Sequence, residues 1–546
     1  MKCAVKQTTQ GSIVPTANPK RALPTGIESP VKVNALERML QNHPDRGLAD
    51  FLVNGFRHGF DLMYAGPLIA SLTRNLRSAT THKEKVSDAI NTEILRGHTA
   101  GPFTSPPFPV THCSPLGAVK KASSENVRLI LDLSQPKGTS VNEGIIDEYC
   151  HVKYTSFDEA VNLARACGVG SMMAKIDIRH AFRLCPVRKV DWPLLCYCWQ
   201  GSYFVDTRLP FGGRSSPAIF NTFADALTWI LNYHGLVDFV IHYLDDFFLC
   251  AEKKSTCQLW MDIFHSIMDE LGIPIADDKT VGPLTCIVFL GIEIDTIEQC
   301  LRLLREKLVQ IMSLLVDWKN KKKCTKRELL SLIGLLSFAS KVVKPGRIFL
   351  RRLIDLSTCV QKLHHHISLN GSARADISWW LEFLPSWNGV GIFQSDPTPA
   401  DDISLFTDAS GIGLGGVFEK SWFSAQWPAT YSGYDINFRE MYAVYVAICL
   451  WGARLKDKQI IVYCDNKDVV TIWSTGTCKN KDYMTLVRKL FFVCASWNIN
   501  LLAQHIPGRD NTVADHLSRL QVNEFFRLVP AADLNPTPIP DELWNI

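Results

Sequence analysis

The sequence predicts a multidomain protein of the α+β or α/β class. Its 546 residues exceed the usual length of one domain, and 47% hydrophobic residues allow a sizeable core in each of several domains. Between about 51 and 300, strand-like and helical patterns alternate, with Gly and Pro between them. A second strand-rich start, ISLFTDASGIGLGGVFE at 403–419, is followed by helix, strand and helices. The chain therefore carries at least two regions of mixed structure.

Shifts in composition divide the chain into six segments, and the tails are distinguished by Pro-rich stretches with little periodicity. The expected segments are a flexible N-terminal tail (1–50), a mixed region (51–300), a basic helical region (301–353), a connector (354–400), a second mixed region (401–520) and a loose C-terminal tail (521–546).

The sequence indicates an intracellular protein without membrane segments. A membrane-spanning helix needs about 20 apolar residues, and the longest apolar run, at 441–453, has 13. The N-terminus lacks the apolar stretch of a secretory signal. The 17 cysteines include no C-x-x-C pair, which favours reduced thiols. Cytoplasm and nucleus both fit these observations.

Positive charge is concentrated in one segment. Residues 301–353 hold 14 Lys or Arg and 3 Asp or Glu, whereas the whole chain has a net charge of only +4. One basic segment on a near-neutral protein is typical of a nucleic-acid-binding surface, and a solvated helical face is the alternative. The residues expected to contact nucleic acid are Lys321, Lys322, Lys323, Lys326 and Arg327.

Three acidic residues lie at predicted strand ends in the first mixed region. The stretch HYLDDFFLC predicts a hairpin with Asp245 and Asp246 at its tip, between two apolar strands. Adjacent carboxylates at such a tip repel each other unless a cation lies between them, although other Asp-Asp pairs in the chain fit solvated turns. Asp177 ends the predicted strand AKIDI and supplies a third carboxylate. Together they predict a site for two divalent ions.

Four motifs follow one another in a specific order: KIDIRHAF, LPFGGRSSPAIFN, YLDD and IVFLG. This order resembles the palm motifs of reverse transcriptases. The resemblance implies a right-hand polymerase with fingers and palm at 51–300 and a thumb at 301–353, followed by a connection at 354–400. It also implies that FLG at 289–291 is the primer grip.

The resemblance implies roles for the three palm acids. Asp177 and Asp245 match the principal Mg²⁺ ligands of the family, and Asp246 matches a supporting acid. Two Mg²⁺ ions are expected there, with Mn²⁺ as a substitute.

Five further residues match nucleotide-binding positions of the family. Lys121 and Arg128 lie where reverse transcriptases grip the incoming triphosphate. Phe182 matches the bulky residue that collides with a ribose 2′-OH and so favours deoxynucleoside triphosphates. Lys279 resembles the lysine proposed to protonate pyrophosphate, and Phe211 stands where some relatives carry Gln.

Acids recur in the second mixed region in the order strand, helix, strand, helix. They are Asp408, Glu440, Asp465 and Asp515. Each alone fits a turn, cap or solvated face, but the order resembles the four acids of ribonucleases H, which bind two Mg²⁺ ions and cleave the RNA of an RNA–DNA hybrid. The resemblance therefore implies a ribonuclease H-like mixed α/β domain with these four residues as catalytic metal ligands.

One feature departs from the ribonuclease H pattern. Many members have a His in the loop before the last acid, whereas here Arg509 is nearest that place. His505 precedes it and is expected to lie on the strand.

Several stretches resemble retrotransposons of the DIRS type, which carry a tyrosine recombinase: NGFRHGF, ILRGHTAGPF, TDASGIGLGG and HIPGRDNTVADHLSRL. A gypsy-type or pararetroviral polymerase is the alternative within the class. The partners that this resemblance implies are an RNA template, a DNA primer, the RNA–DNA hybrid and a separate tyrosine recombinase. The rival interpretation is a decayed or host-adopted copy that only binds nucleic acid.

Overall fold

The computed structural model describes residues 23–120, 126–387, 391–392, 404–456, 458–475, 478, 480–497 and 499–544. The chain forms two compact units. Unit 1 comprises Met1–Leu163 with Met172–Leu284, and unit 2 comprises Ala164–Ser171 with Thr285–Ile546. The boundary between 284 and 285 lies before residue 300, where the first mixed region is expected to end.

Helices and strands are interspersed along the sequence of unit 1. Its helices are α1 (Val33–Met39), α2 (Arg46–His58), α3 (Arg77–Thr81), α4 (Lys83–Leu95), α5 (Val141–Gly144), α6 (Phe157–Ala166, which crosses the boundary at 163), α7 (Ser216–Gly235) and α8 (Lys254–Leu271). Its strands are β1 (Ser71–Leu72), β2 (Thr99–Phe103), β3 (His112–Cys113), β4 (Leu116–Lys120), β5 (Val127–Leu131), β6 (Met172–Asp177), β7 (Cys196–Trp199), β8 (Ser202–Asp206), β9 (Val240–Tyr243), β10 (Asp246–Ala251) and β11 (Val281–Leu284).

A four-stranded sheet in the order β11-β6-β10-β9 forms the centre of unit 1. Its strands are antiparallel, and β10 is buried along most of its length because DFFLCA is almost entirely apolar. Helices α7 and α8 pack against this part of the unit, with the rings of Phe247 and Phe264 5.2 Å apart. The predicted hairpin of β9 and β10, with the acids at its tip, is confirmed.

Two other sheets complete unit 1. Five strands form a sheet in the order β1-β3-β7-β8-β2, and β4 pairs with β5 as an antiparallel ribbon. Strand β5 of this ribbon carries Arg128, and residues 121–125 between its two strands lie outside the described residues.

Residues 31–50 are folded, so the expectation of a flexible tail over 1–50 is wrong for this part. Leu36 and Leu40 are buried and join the core of unit 1. Helix α2 begins after Asp45, whose side chain accepts a hydrogen bond from the N–H of Leu48 at 2.9 Å. The polar composition of this stretch predicts a tail, but its apolar residues are spaced four apart. They therefore form a hydrophobic stripe on one face of α1, and burial of this stripe folds the segment. Residues 1–22 lie outside the described residues.

Unit 2 contains the remaining elements. Its strands are β12 (Cys286–Phe289), β13 (Ile292–Asp295), β14 (Cys300–Leu303), β15 (Lys323–Thr325), β16 (His366–Ser368), β17 (Gly391–Ile392), β18 (Ser404–Ala409), β19 (Gly413–Phe418), β20 (Ser421–Gln426), β21 (Gln459–Cys464) and β22 (Asn500–His505). Its helices are α9 (Arg305–Lys319), α10 (Lys326–Ala339), α11 (Arg351–Thr358), α12 (Gly371–Trp387), α13 (Ile436–Trp451), α14 (Lys467–Thr475), α15 (Lys481–Ser496), α16 (Thr512–Ser518) and α17 (Val522–Leu528).

The main sheet of unit 2 has the order β20-β19-β18-β21-β22. The first three strands are antiparallel neighbours, whereas β21 runs parallel to β18 and β22 runs parallel to β21. Helix α16 packs closely on β19, where a Cβ on Gly415 would lie 2.3 Å from the Cβ of Leu517. Because β18 and β21 are parallel neighbours, their carboxyl ends lie side by side. Helices α13 and α16 both contact β18.

The basic segment 301–353 is not helical throughout, which corrects the sequence analysis. Residues 323–325 form β15 and pair with β16, because Cys324 faces the interior and is 1% exposed. Helix α10 then begins with a capping box in which Thr325 and Glu328 bond each other's backbone. The run of lysines therefore surrounds a short strand rather than covering one helical face.

The segment after 520 is packed against the main sheet of unit 2, so the expectation of a loose tail is wrong. Phe525 is fully buried, and its ring lies 5.2 Å from that of Trp422. The indole N–H of Trp422 donates to the carbonyl of Asp533 at 2.6 Å, and the N–H of Thr537 donates to the carbonyl of Trp422 at 2.7 Å. Aromatic burial and backbone pairing fix a segment whose Pro content indicated a loop.

Each helix in the described part of the chain is too short or too polar to cross a membrane.

The C-terminal segment should contribute measurably to the stability of unit 2. We expect Phe525→Ala to lower the free energy of unfolding by about 3–5 kcal/mol, because it leaves a cavity beside Trp422. Leu534→Ala is the matched control, since Leu534 is 88% exposed in the same segment. Urea unfolding followed by tryptophan fluorescence measures both variants, and equal midpoints would contradict the packing described here.

Candidate active sites

Three carboxylates meet at one end of the central sheet of unit 1. The antiparallel register pairs Asp177, the last residue of β6, with Asp246, the first residue of β10. Asp245 lies in the turn between β9 and β10, and its carbonyl accepts the N–H of Ile178 at 3.0 Å. Asp177 is 5% exposed, and the other two acids are half-buried. The structure therefore brings together the three acids that the sequence predicted at this site.

The electrostatics of this cluster favour a bound cation. Burial, followed by repulsion from Asp177, raises the pKa of Asp245 to about 6. Burial also raises the pKa of Asp246, although Lys175 opposes the shift. Carboxylate oxygens are the ligands that Mg²⁺ prefers, and three of them converge here. The donor set thus fits the predicted divalent ions.

Two lysines accompany the acids. The ammonium of Lys279 donates to both carboxylate oxygens of Asp177, at 3.0 Å and 2.9 Å. Burial opposes the charge of Lys279, but the hydrogen bond and charge of Asp177 raise its pKa. Lys175 Nζ lies 3.9 Å from Asp246 Oδ1. A metal bound by Asp177 would compete with Lys279 for the same oxygens.

Asp177 and Asp245 line a cavity of about 640 Å³. Four of the five predicted nucleotide-binding residues also line it: Arg128, Phe182, Phe211 and Lys279. The guanidinium of Arg128 lies over the ring of Phe211, 4.8 Å from its centroid, and the rings of Phe211 and Phe182 are 5.6 Å apart. The fifth residue, Lys121, lies outside the described residues.

The loop that carries Phe211 is bound to the β4–β5 ribbon. The N–H of Leu131 donates to the carbonyl of Phe211 at 3.1 Å. Gly212 follows with φ +116°, and a Cβ there would lie 2.3 Å from the carbonyl oxygen of Leu131. A glycine is required at this contact, which holds Phe211 beneath Arg128.

A buried ion network forms another part of the cavity wall, and sequence reasoning missed it. The side chain of Arg183 is 7% exposed and donates to Glu93 at 2.9 Å and to Asp206 at 2.8 Å. Burial favours the neutral form of Glu93, but a hydrogen bond with His98 and the charge of Arg183 lower its pKa to about 2. The partners are distant in sequence, so no local pattern marks them.

The four acids predicted in unit 2 also converge. Asp408 lies on β18, Glu440 on α13 and Asp515 on α16, and Asp465 directly follows β21. Asp408 and Glu440 are each 4% exposed. The electrostatic interactions among the four show that they share one site.

Burial and mutual repulsion dominate the electrostatics of this second site. Burial raises the pKa of Asp408 to about 7, to which the charges of Asp465 and Asp515 add. Burial raises the pKa of Glu440 as well, followed by repulsion from Asp408 and Asp465. Arg519 offsets part of this charge but is paired with Asp515 at 2.7 Å. A cation bound among the acids would relieve the repulsion.

A cysteine lies beside these acids, and the sequence analysis did not single it out. The Sγ of Cys464 lies 4.0 Å from Oε2 of Glu440. Ligand atoms of Glu440, Cys464 and Asp465 all lie within 4.8 Å of one another. Burial, followed by the charge of Glu440, raises the pKa of the Cys464 thiol. The sequence signal was its position next to Asp465 at a strand end.

The loop before Asp515 lies close to the second site. A Cβ on Gly508 would lie 3.1 Å from Oδ2 of Asp465. The side chain of Arg509 is 86% exposed, 3.9 Å from Asp510. His505 ends β22 and pairs in register with Cys464, which confirms its expected position on the strand.

Comparison with known proteins identifies part of the chain. Residues 119–294 match the family model for reverse transcriptase (RNA-dependent DNA polymerase). The chain therefore contains a reverse transcriptase domain. The matched range includes Asp177, Asp245 and Asp246.

The relatives of the chain are retroelement polyproteins. It is 24% identical over 366 residues to the putative enzymatic polyprotein of Cassava vein mosaic virus, covering 63% of this chain and 52% of the relative. It is 23% identical over 474 residues to the retrovirus-related Pol polyprotein from transposon opus of Drosophila melanogaster, covering 82% of this chain and 43% of the relative. The chain spans about half or less of the length of these curated relatives.

Among solved structures, the chain is similar to the foamy viral protease-reverse transcriptase in complex with double-stranded DNA. One such structure has a TM-score of 0.49 and 15% identity, and covers 90% of this chain and 85% of that chain.

The predicted nucleic-acid-binding residues at 321–327, which follow the range matched to reverse transcriptases, differ in how exposed their side chains are. Lys322, Lys323 and Arg327 are exposed. Lys321 pairs with Glu328 at 2.8 Å, and the ammonium of Lys326 donates to the carbonyl of Val360 at 2.7 Å. Three of the five predicted nucleic-acid contacts therefore present side chains to solvent.

The raised pKa of Asp245 has a consequence for stability. The pKa of Asp245 is about 6 in the folded protein and about 3.9 in the unfolded chain. Because the folded protein holds this proton more tightly, the contribution of Asp245 to the free energy of unfolding is full below about pH 3.9 and is lost as the pH rises through 6. Without divalent ions at pH 7.5, Asp245→Asn should therefore stabilise the protein by about 1–3 kcal/mol. The gain should shrink at pH 4.5. Thermal unfolding in a chelating buffer at both pH values measures this difference.

Asp277→Asn is the control for this measurement, because Asp277 is exposed in the same unit. It should change the unfolding midpoint little at either pH. An Asp245→Asn variant that is less stable than the parent at pH 7.5 would show that the charge of Asp245 is compensated in the folded protein.

Proposed function

We propose that the chain is an RNA-directed DNA polymerase with an associated ribonuclease H, which copies retroelement RNA into DNA and degrades the RNA of the hybrid. The observation that carries the proposal is the convergence of Asp177, Asp245 and Asp246 at one end of the central sheet, where Asp177 and Asp245 line the cavity. The three carboxylates outnumber the two lysines beside them, Lys279 and Lys175, which leaves negative charge for catalytic cations to balance.

In the polymerase site, Asp177 and Asp245 hold the divalent ions, and Asp246 supports them. Two bound Mg²⁺ or Mn²⁺ ions would activate the primer hydroxyl and stabilise the leaving pyrophosphate. Lys279 contacts Asp177 and is half-exposed, so it can turn toward a phosphate oxygen and donate a proton to it. The role of Lys279 rests on the ability of an ammonium group to protonate a neighbouring phosphate oxygen.

Arg128, Phe211 and Phe182 position the incoming nucleotide. The guanidinium of Arg128 is held over Phe211 and presents several donors to a triphosphate. Phe182 lines the cavity in contact with Phe211, where a bulky ring would exclude a ribose 2′-OH. The substrates of the polymerase are therefore deoxynucleoside triphosphates, with Lys121 as a further triphosphate contact.

The second site is proposed to cleave the RNA of the product hybrid. Asp408, Glu440, Asp465 and Asp515 would hold two Mg²⁺ ions across the scissile phosphate. The strand order of the main sheet and the mutual repulsion of the four acids support this assignment. Arg509 is exposed, so its side chain can reach a nucleic-acid phosphate rather than replace the usual histidine.

The template–primer is proposed to contact the basic segment 301–353. Lys322, Lys323 and Arg327 are exposed and suited to phosphate contacts, whereas Lys321 and Lys326 are engaged within the protein. The four stretches quoted above support a DIRS-like element, in which a separate tyrosine recombinase would complete integration. The alternative function is that of a retroelement copy that binds nucleic acid without polymerase activity. Primer extension by the purified protein distinguishes the two.

Asp245→Asn and Asp465→Asn should separate the two activities. With purified protein, Mg²⁺, labelled primer and labelled RNA template, Asp245→Asn should abolish primer extension and retain cleavage of a preformed hybrid. Asp465→Asn should retain extension and lose cleavage. The reason is that each substitution removes one cation ligand from one site only.

Asp277→Asn and Asp482→Asn are the matched controls, since both residues are exposed. Both should keep the two activities. Absence of extension by the parent protein would support the binding-only alternative, and loss of both activities in either folded active-site variant would contradict the assignment of two sites.

Phe182→Val should relax the choice of sugar. Shortening this side chain opens the cavity, so we expect ribonucleotide incorporation relative to deoxynucleotide incorporation to rise roughly 10- to 100-fold. Single-nucleotide extension with each triphosphate gives the ratio. Phe239→Val truncates the same side chain outside the cavity lining and should leave the ratio unchanged. An unaltered ratio in Phe182→Val would remove Phe182 from the sugar site.

A further inference from the structure

The cysteine beside the second site introduces a sulfur ligand among oxygen ligands. Cys464 is the last residue of β21 and is 1% exposed. Its Sγ and a carboxylate oxygen from each of Glu440 and Asp465 lie within 4.8 Å of one another. Cys464 forms no disulfide, so its thiol is available to a ligand. Three donors of two chemical kinds thus surround one small volume.

Glu440 provides a second reason to expect a cation at this place. Its carboxylate is 4% exposed and experiences repulsion from Asp408 and Asp465, with one backbone hydrogen bond at Ala409 in its favour. A buried carboxylate in such surroundings is stabilised when a cation binds it. Because Cys464 lies on the same side, the cation that Glu440 attracts also meets a sulfur atom.

The donor set distinguishes between classes of cation. Mg²⁺ binds oxygen ligands, whereas Zn²⁺ and Cd²⁺ bind thiolate together with carboxylate. The backbone N–H of Asn466 lies 3.4 Å from Sγ of Cys464 and would stabilise a thiolate there. The site is therefore suited to a thiophilic ion in a way that four carboxylates alone would not be.

We propose that Cys464, Glu440 and Asp465 form a binding site for a thiophilic divalent cation such as Zn²⁺, which displaces Mg²⁺ and inhibits cleavage of the hybrid. On binding, the S–H bond of Cys464 breaks, a sulfur–metal bond forms and the proton passes to solvent. The inhibitory consequence rests on the proposed ribonuclease H function, whereas the binding itself does not. Glu440 and Asp465 are shared, so the thiophilic ion and the Mg²⁺ pair exclude each other.

Direct binding of Cd²⁺ tests the site without reference to activity. The full chain is titrated with Cd²⁺ in Mg²⁺-free buffer, and the ultraviolet thiolate-to-metal absorption is compared among the parent, Cys464→Ser and Cys359→Ser. Cys359 is exposed and serves as the matched control. Subtraction between variants is needed because the chain has 17 cysteines. We expect Cys464→Ser to lose one tight equivalent that excess Mg²⁺ displaces from the parent.

Inhibition of hybrid cleavage tests the consequence. In constant Mg²⁺, Zn²⁺ should inhibit the parent and Cys359→Ser at the same concentration. Cys464→Ser should need at least about 10-fold more Zn²⁺, because loss of even an outer contact to a metal ligand costs about 10- to 100-fold in metal affinity. The ratio of inhibitory concentrations is the measured quantity, so any change in the basal rate of the variant does not affect it.

The two measurements separate failure of this inference from failure of the proposed function. A parent that binds the extra Cd²⁺ equivalent but cleaves no hybrid would retain the site and overturn the ribonuclease assignment. Equal Cd²⁺ binding by the parent and Cys464→Ser would overturn the site. Thermal unfolding of each variant with and without Cd²⁺ supports the site if only proteins with Cys464 gain stability, and it contradicts the site if Cys464→Ser gains as much.

Discussion

The antiparallel pairing of β6 with β10 is the constraint on which the reverse transcriptase domain depends. Its register places Asp177 opposite Asp246 and puts Asp245 in the adjoining turn. A shift of one residue would turn each side chain to the opposite face and separate the acids. The apolar residues that precede Asp177 on β6 and follow Asp246 on β10 hold the register, because these side chains fill the core behind the site. The hydrophobic core of unit 1 therefore fixes the position of its most polar residues.

The two acidic sites apply the same physical principle in different topologies. In unit 1, the antiparallel pairing of β6 with the β9–β10 hairpin brings the acids together, whereas unit 2 uses the ends of two parallel strands and the faces of two helices. In both, burial raises the pKa of at least one carboxyl, to about 6 for Asp245 and about 7 for Asp408. Each cluster is therefore electrostatically unfavourable by itself. Such repulsion among buried carboxylates is typical of sites at which a bound ligand balances the charge.

The sequence predicted the features that depend on local pattern. The acids follow apolar strands, so alternation and strand ends located them, and family motifs supplied their order. Local pattern could not predict the ion pair of Arg183 with Glu93, because the two residues are 90 positions apart and only the tertiary fold brings them together. Composition also gave wrong results, two of them in unit 2. Prolines indicated a loose end after 520, whereas Phe525 and its aromatic neighbours determine how that segment packs. Lysines around 321–323 indicated a helix, whereas the buried Cys324 determines a strand.

The packing of the C-terminal segment beside β20 also bears on how this chain resists self-association. Strand β20 is at the edge of the main sheet, where unpaired backbone groups could join the strand of another molecule. The carbonyls of Lys420 and Trp422 instead accept the N–H groups of Asp533 and Thr537. Prolines in the same segment cannot donate to a further strand. A chain cut near 520 would thus expose an aromatic strand edge and become prone to aggregation, even though the acids of both candidate sites would be retained.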